Sequence, residues 1–260
     1  MYKLLALDLD DTLLERDKSI PDKVAAAIIA LLESGVIVTL ATGRMFTSAE
    51  RIARQLGVTA PLITYNGALA RAAGGQALIE RPLTLDQMRR VFEVGERHSY
   101  YLQLYNDECI VVEKRVAETE VDPDVHNVPC LEVGRLLDAE LKRTPKIMTC
   151  GEPADMPKRL PILKEALPDL HITISSAHLL EMMDIGVSKV AALERLCLSL
   201  GISVAECVAC GDSFNDAEML GWVGMGCAVA NALPAVKQIA GYVAEGERSW
   251  GVLEVINKFF

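Results

Sequence analysis

The feature that most constrains this chain is a set of short, almost continuously apolar runs, each followed by a stretch of helical periodicity. Lys3 to Leu9, Val36 to Ala41 and Leu62 to Tyr65 are of this kind. Such runs lack the apolar–polar alternation of a half-exposed strand, so they read as strands covered on both faces, the pattern of a parallel sheet. The segment between the first two is opened by Ser19 and Pro21 and closed by Gly35, with Val24, Ile28, Leu31 and Leu32 on one stripe. It reads as an amphipathic helix. A second helix is expected from about Ser48 to Leu56. The β-α-β-α-β order argues for a parallel sheet with helices on both faces.

From about Pro82 the texture changes. A helix from Leu85 to Arg97 leads into Tyr100–Tyr105, a turn at Asn106-Asp107, and Cys109 to Val112, which is a hairpin pattern. Lys146 to Cys150, a helix near Pro157 to Leu167, and the pair His171–Ser175 and Leu179–Met183 continue this α+β segment. The tyrosines at 100, 101 and 105 read as sheet packing, and the histidines at 98, 126, 171 and 178 have no metal-ligand spacing. After Ile185 the parallel pattern returns. Ser188 opens a helix to about Leu200, Cys207–Gly211 is a strand, and Asn215–Trp222 a helix. Gly226–Val229, Pro234–Ala240 and Tyr242–Ala244 complete the chain as strand, helix and strand. The expected fold class is α/β, a Rossmann-like parallel-sheet core (residues 1–82 and 186–260) interrupted by an inserted α+β domain (residues 83–185) large enough for its own core.

Composition narrows the partners. Lys and Arg number 26 against 36 Asp and Glu, a net charge of −10. Such a surface repels nucleic acid and anionic membranes. The longest apolar run, Val24–Leu32, is far shorter than the roughly 18 residues of a membrane span. Leu4–Leu7 runs straight into carboxylates, unlike a signal peptide. The 7 cysteines show no disulfide framework, so a reduced, cytoplasmic protein is expected. Cys207 and Cys210 have C-x-x-C spacing, but residues three apart on a strand point to opposite faces, so both read as core.

The residues that carry chemistry cluster at strand ends. Asp8 and Asp10 end the first strand, and on extended backbone they share a face, which is costly without a cation or shared proton. A solvated acidic turn is the alternative. Thr42-Gly43-Arg44 ends the second strand and offers a hydroxyl, close backbone approach and a guanidinium, a phosphate contact or an ordinary turn. Asp212 and Asp216, in Gly211-Asp212-Ser213-Phe214-Asn215-Asp216, flank a helix start, where acidic residues also suit the macrodipole. Lys189 lies in a first helical turn, where its charge opposes that dipole and needs another reason. Ligands of open parallel sheets bind at the edge where these residues fall.

In this order, the D-x-D-x-T of Asp8–Thr12, Thr42, Lys189 and the G-D-x-x-N-D of Gly211–Asp216 resemble the motifs of haloacid dehalogenase superfamily phosphatases. Asn66-Gly67, the insertion, Asn231-Ala232 before Lys237 and Ala240, and Trp250-Gly251-Val252 resemble the Cof-like branch, whose cap lies between the second and third motifs. Many relatives carry Gly where this chain has Asp11. The resemblance implies a magnesium-dependent phosphomonoesterase acting on a small phosphorylated metabolite. Sugar phosphates, flavin mononucleotide and pyridoxal phosphate are among the family's substrates. It makes Asp8 the nucleophile and Asp10 the acid and base. Mg2+ would be held by Asp8, Asp10 (through its carbonyl) and Asp212, with Asp216 beside them orienting metal-bound water or Lys189. Thr42, Gly43, Arg44, Lys189 and Asn215 would face the substrate phosphate. Neither nucleic acid nor membrane is an expected partner, and the chain is expected as a monomer or small homo-oligomer. A phosphomutase or a non-catalytic phospho-ligand regulator on the same fold are the alternatives. A signalling receiver domain also uses an acidic cluster with a hydroxyl and a lysine, but it is about half this length.

Overall fold

Four consecutive residues without solvent exposure, Leu4–Leu7, form strand β1, an inner strand of a five-stranded parallel sheet in the computed structural model. Residues 1–106, 109–117, 119 and 128–260 are described, and the expected turn residue Asp107 and His126 lie outside them. The chain divides into two compact units. One comprises Met1–Arg44, Ala49–Ile79 and Ser188–Phe260, the other Glu80–Val187 with Met45–Ser48.

In the first unit, α1 (Asp22–Glu33) follows β1 and buries Val24, Ile28 and Leu31, the predicted stripe apart from Leu32. β2 (Ile37–Leu40) pairs in parallel with β1, Leu7 opposite Leu40, and α2 (Phe46–Leu56) follows. The predicted third strand departs from expectation. β3 (Leu62–Thr64) meets the parallel sheet only through one bridge, Ala41 to Ile63, and instead starts a three-stranded sheet with β4 (Leu69–Arg71) and β5 (Ala77–Glu80). The reason is local. Tyr65, Asn66 and Gly67 all have positive φ, at 50°, 55° and 104°, which reverses the chain so that β4 returns antiparallel to β3.

The second unit opens with α3 (Leu85–His98), capped by Thr84 and Gln87 in a reciprocal capping box. β6 (Tyr101–Tyr105) and β7 (Ile110–Val112) form the expected antiparallel hairpin, and β8 (Cys130–Glu132) adds to β7 in parallel. β9 (Lys146–Cys150), α4 (Met156–Ala166), β10 (Leu170–Ser176) and β11 (Leu179–Asp184) complete a sheet of order β10-β11-β9-β6-β7-β8. Leu102, Leu104, Ile147, Ile172, Leu180 and Met182 share a core with Met88, Val91 and Leu163 of the helices. Tyr105 packs within the sheet as anticipated and donates to Gln103 Oε1 at 2.8 Å, whereas Tyr100 precedes β6 and its ring lies 4.6 Å from the Arg159 guanidinium of α4.

The chain then returns to the first unit through α5 (Lys189–Leu200), β12 (Cys207–Gly211), α6 (Phe214–Trp222), β13 (Met225–Ala228), α7 (Pro234–Ile239), β14 (Tyr242–Val243) and α8 (Arg248–Phe259). The parallel sheet has the order β14-β13-β12-β1-β2. Cys207 Sγ lies 3.4 Å from Cys197 of α5, whereas Cys210 sits opposite Cys227 of β13, so the two thiols of the C-x-x-C share no site. Among the described residues, no helix is long and apolar enough to cross a membrane.

Gly67 carries a constraint that reaches the start of α5. A Cβ there would lie 2.2 Å from the Ser188 carbonyl oxygen, and the φ of 104° is already costly for any L residue. Gly67→Ala is therefore expected to destabilise the fold by about 2 kcal/mol or more. Thermal unfolding followed by circular dichroism checks this, and an unchanged midpoint would contradict the tight packing of this turn on α5.

Candidate active site

Three chain segments deliver the charged residues of the site. Beyond Leu7 the backbone stays extended at Asp8, then turns over Leu9–Leu13, where Asp10 (φ −70°, ψ 127°) and Asp11 (φ 58°, ψ 8°) break helical geometry. Next door, β12 ends at Gly211. Asp216, in the first turn of α6, accepts from the Asp212 and Ser213 amides at 3.0 and 3.1 Å through Oδ2. A Cβ on Gly211 would stand 2.5 Å from the Asp216 Cβ, so only glycine lets α6 begin this close to the strand. The third segment is the start of α5. Ser188 caps it by accepting from the Ala191 amide at 3.0 Å, which fixes Lys189 as the first helical residue.

Lys189 is the hub. Its Nζ donates to Asp8 Oδ1 at 2.7 Å and to Asp216 Oδ1 at 2.6 Å, and all three side chains are buried. This answers why a lysine sits at a helix start against the dipole. Asp212 joins from the side, accepting from the Thr12 hydroxyl at 2.8 Å. Ligand atoms of Asp8, Asp212 and Asp216 all fall within 4.8 Å of one another.

The electrostatics are those of a cluster short of positive charge. Burial, then the neighbouring Asp216, pushes the Asp8 carboxyl well above the usual range despite Lys189. Burial and Asp216 likewise raise Asp212 to about 7, against the Thr12 hydrogen bond. Burial disfavours the Lys189 cation, but Asp216 and Asp8 overcome it and hold the ammonium above the ordinary lysine value. Three carboxylates face one ammonium, so the set is under-neutralised. Hard oxygen donors at this spacing fit a hard divalent cation such as Mg2+.

Asp10 belongs to a different group. Its carboxylate accepts from Arg44 Nε at 2.7 Å and Nη2 at 2.6 Å, and from Lys18 Nζ at 2.8 Å. Burial opposes the charge, yet Arg44 and Lys18 take Asp10 down to about 2. Thr42 is buried, and its hydroxyl accepts from the Arg44 amide at 3.2 Å. Asn215 Nδ2 donates to Asn66 Oδ1 at 3.1 Å, and that same oxygen lies 3.0 Å from where a Gly43 Cβ would be.

The structure thus brings Asp8, Lys189, Asp212 and Asp216 together, and pairs Asp10 with Arg44. The shared strand face expected for Asp8 and Asp10 does not extend to Asp10, because β1 ends at Leu7 and the turn sends the two carboxylates to different partners. Sequence patterns assign no role of their own to Thr12, Asn66 or Lys18. Thr12 has a signal, its place in the acidic motif. Asn66 has its neighbour Gly67, while Lys18 has none.

This arrangement, an aspartate beside a buried lysine and two further carboxylates at the ends of parallel strands, is that of the haloacid dehalogenase-like hydrolases. The chain belongs to that family, which it matches over residues 5–256. It is similar to the HMP-PP phosphatase of Serratia proteamaculans, 31% identical over 245 residues that cover 92% of this chain and 88% of the relative. The HMP-PP phosphatase of Escherichia fergusonii is also 31% identical, covering 91% of this chain and 87% of the relative. Among solved structures, a haloacid dehalogenase-like hydrolase from Bacteroides thetaiotaomicron superposes with a TM-score of 0.90 at 25% identity over 100% of both chains. A Thermotoga maritima protein superposes with 0.87 at 26% identity, over 100% of this chain and 98% of its own. By class the chain is a phosphatase of this family.

The raised Asp212 carboxyl has a consequence for stability. The folded state holds its proton up to about pH 7, while the unfolded chain releases it near the ordinary aspartate value of 3.8. Ionised Asp212 therefore destabilises the fold, with a penalty absent below the unfolded value and complete above pH 7. With divalent cations chelated, Asp212→Asn is expected to be more stable than wild type by at least about 1 kcal/mol at pH 8. The gain should shrink by more than half at pH 5. Denaturant unfolding at the two pH values checks it, and a gain independent of pH would refute the assignment.

Proposed function

We propose that this phosphatase is a magnesium-dependent phosphomonoesterase that hydrolyses a small phosphorylated metabolite through an aspartyl-phosphate on Asp8. The observation that carries the reading is the buried Lys189 bridge between Asp8 and Asp216, with Asp212 at its side. Lys189 holds Oδ1 of Asp8, which leaves Oδ2 to attack phosphorus. The P–O bond to the leaving group breaks as the new bond to Asp8 forms. Water then cleaves the acyl-phosphate and regenerates the carboxylate.

Asp10 is the proton carrier of the proposal, protonating the leaving oxygen and later accepting the proton of the attacking water. In its present grip by Arg44 and Lys18 it is ionised, the form required for the second step. Thr42, the Gly43 amide and Asn215 would steady the phosphate oxygens, and Arg44 adds a guanidinium at the same strand edge. Asp8, the carbonyl of Asp10 and Asp212 would hold the Mg2+. Asp216 has one oxygen on Lys189 and the other on two backbone amides, which suits orienting rather than ligation. A bound cation would supply charge neutralisation, since each pair of unit negative charges about 4 Å apart repels by about 4 kcal/mol at an effective dielectric of 20 and a phosphate dianion facing carboxylates meets several such pairs. The second unit is assigned as the cap that sets substrate choice.

Asp8→Asn is expected to cut phosphate release from p-nitrophenyl phosphate by about 1,000-fold or more, with the fold intact by circular dichroism. Near-wild-type turnover in that variant would end the nucleophile assignment. Excess EDTA should abolish release and Mg2+ restore it. A panel of sugar phosphates, flavin mononucleotide, pyridoxal phosphate and HMP-PP, the compound in the names of the curated relatives, scored for released phosphate, tests the substrate class. Transfer of phosphorus into an isomeric product without free phosphate would overturn hydrolysis.

A further inference from the structure

Asp11 holds the position at which the acidic turn needs a left-handed residue, with φ 58° and ψ 8°. An L side chain visits this region only with support, and aspartate tolerates it better than most. The support is visible. The Asp11 carbonyl accepts from Asn231 Nδ2 at 2.7 Å, and its carboxylate Oδ1 accepts from Arg248 Nε at 3.1 Å, with Nη2 also 3.1 Å away. Asn231 Oδ1 in turn accepts from the Arg248 amide at 2.8 Å, which closes a three-residue ring. Arg248 is the first residue of α8 and itself stands at φ 50°. Its side chain is only 11% exposed, although that of Asp11 is 55% exposed.

The next residue of α8 repeats the connection. The buried Ser249 donates its hydroxyl to the Glu15 carboxylate, just past the end of the turn. The start of α8 is thus bonded within and beyond the Leu9–Leu13 turn, at Asp11 and Glu15. Asp11 lies between Asp10 and Thr12, so its two dihedral angles set where the Asp10 carbonyl points and whether the Thr12 hydroxyl reaches Asp212. A half-exposed ion pair contributes little to global stability. Its effect here is on which conformation the turn adopts.

We propose that Arg248, together with Asn231, is a positioning residue that holds Asp11 in its left-handed conformation and so fixes the shape of the active-site turn. Arg248 touches no reacting group. The kinetic half of the proposal rests on the phosphatase reading, whereas the conformational half does not. A glycine in place of Asp11 adopts this φ unaided, so it should make Arg248 dispensable.

The test is a double-mutant cycle over Asp11→Gly and Arg248→Ala in the full chain, read by kcat, KM and amide hydrogen exchange across residues 8–14. With Asp11 present, Arg248→Ala is expected to lower kcat about tenfold (~1.4 kcal/mol) with KM within about twofold, and to speed exchange in the turn. In the Asp11→Gly background, the same substitution should change kcat by less than about twofold and leave exchange at the level of Asp11→Gly alone. A role in holding α8 alone would give equal effects in both backgrounds, and that result overturns the proposal. So does an Arg248→Ala protein with wild-type kcat and exchange. Arg248→Met retains the packing stem and replaces Arg248→Ala in the cycle if the latter does not fold. If no phosphoester is turned over, the function proposed above fails while the exchange arm still decides this one.

Discussion

The Lys189 ammonium, buried between Asp8 and Asp216, is the interaction on which the rest of the site depends. Removing ions of this size from water is expensive, and mutual attraction offsets the cost only with good geometry and further hydrogen bonds. Those bonds are present. Asp216 also accepts from two amides, and Asp8 continues the β1–β12 ladder by donating its amide to the Cys210 carbonyl at 3.1 Å. Each partner is fixed by a different secondary-structure device: a strand end for Asp8, a cap for Lys189 and a capping box for Asp216. Any one of these slipping leaves a buried charge uncompensated, which is typically worth about 3–5 kcal/mol. The parallel sheet and its helix starts must therefore agree to within a hydrogen-bond length.

Around that hub the chain accepts unfavourable backbone. Asp11, Tyr65, Asn66 and Arg248 all have φ between 50° and 58° without being glycine. Left-handed conformations of this kind cost about 1–3 kcal/mol and persist where surrounding contacts over-determine them. Three of the four sit at strand ends of the first unit that also carry site residues, and Arg248 is bonded to one of those three. Asn66 combines the two roles, shaping the turn through its backbone and meeting Asn215 through its side chain. Strain and function coincide because a turn that points several polar groups at one spot cannot also be a relaxed helix or strand.

The same division explains what is legible in the sequence. Buried strands such as Leu4–Leu7 and Cys207–Gly211 announce themselves, since continuous apolar runs have few other uses. The helix start at Ser188 is readable from capping chemistry and carries Lys189 with it, while α6, expected from Asn215, begins one residue earlier behind Ser213 and carries Asp216 in its first turn. β3 is readable as a strand, and it does run parallel at its bridge to Ala41, but its antiparallel pairing with β4 is not readable, because the Tyr65–Gly67 reversal decides it and residue type at 65 gives no clue. The Asp11–Arg248 pair is invisible for another reason. Its members are 237 positions apart, and neither residue type alone signals a partner. Asp10 shows the limit of periodicity arguments: the same-face rule holds along a strand and lapses at the first residue of a turn.

Asp10 and Asp212 are tuned in opposite directions, to about 2 and about 7, and the causes differ in kind. Asp212 is raised by burial and by Asp216, and under the proposed mechanism a bound divalent cation would favour its ionised form. Asp10 is lowered by a bidentate Arg44, and a guanidinium prefers a phosphate dianion at least as well as a carboxylate. Under the proposed mechanism, a phosphoryl group drawing Arg44 away would let the Asp10 carboxyl rise and take up a proton. Departure of that charge would restore the Arg44 pair and the ionised base. The chain's overall charge of −10 is then no obstacle to an anionic substrate. What matters is that the site holds cations it can share, and that the carboxylate left behind by Arg44 is the one expected to carry the proton.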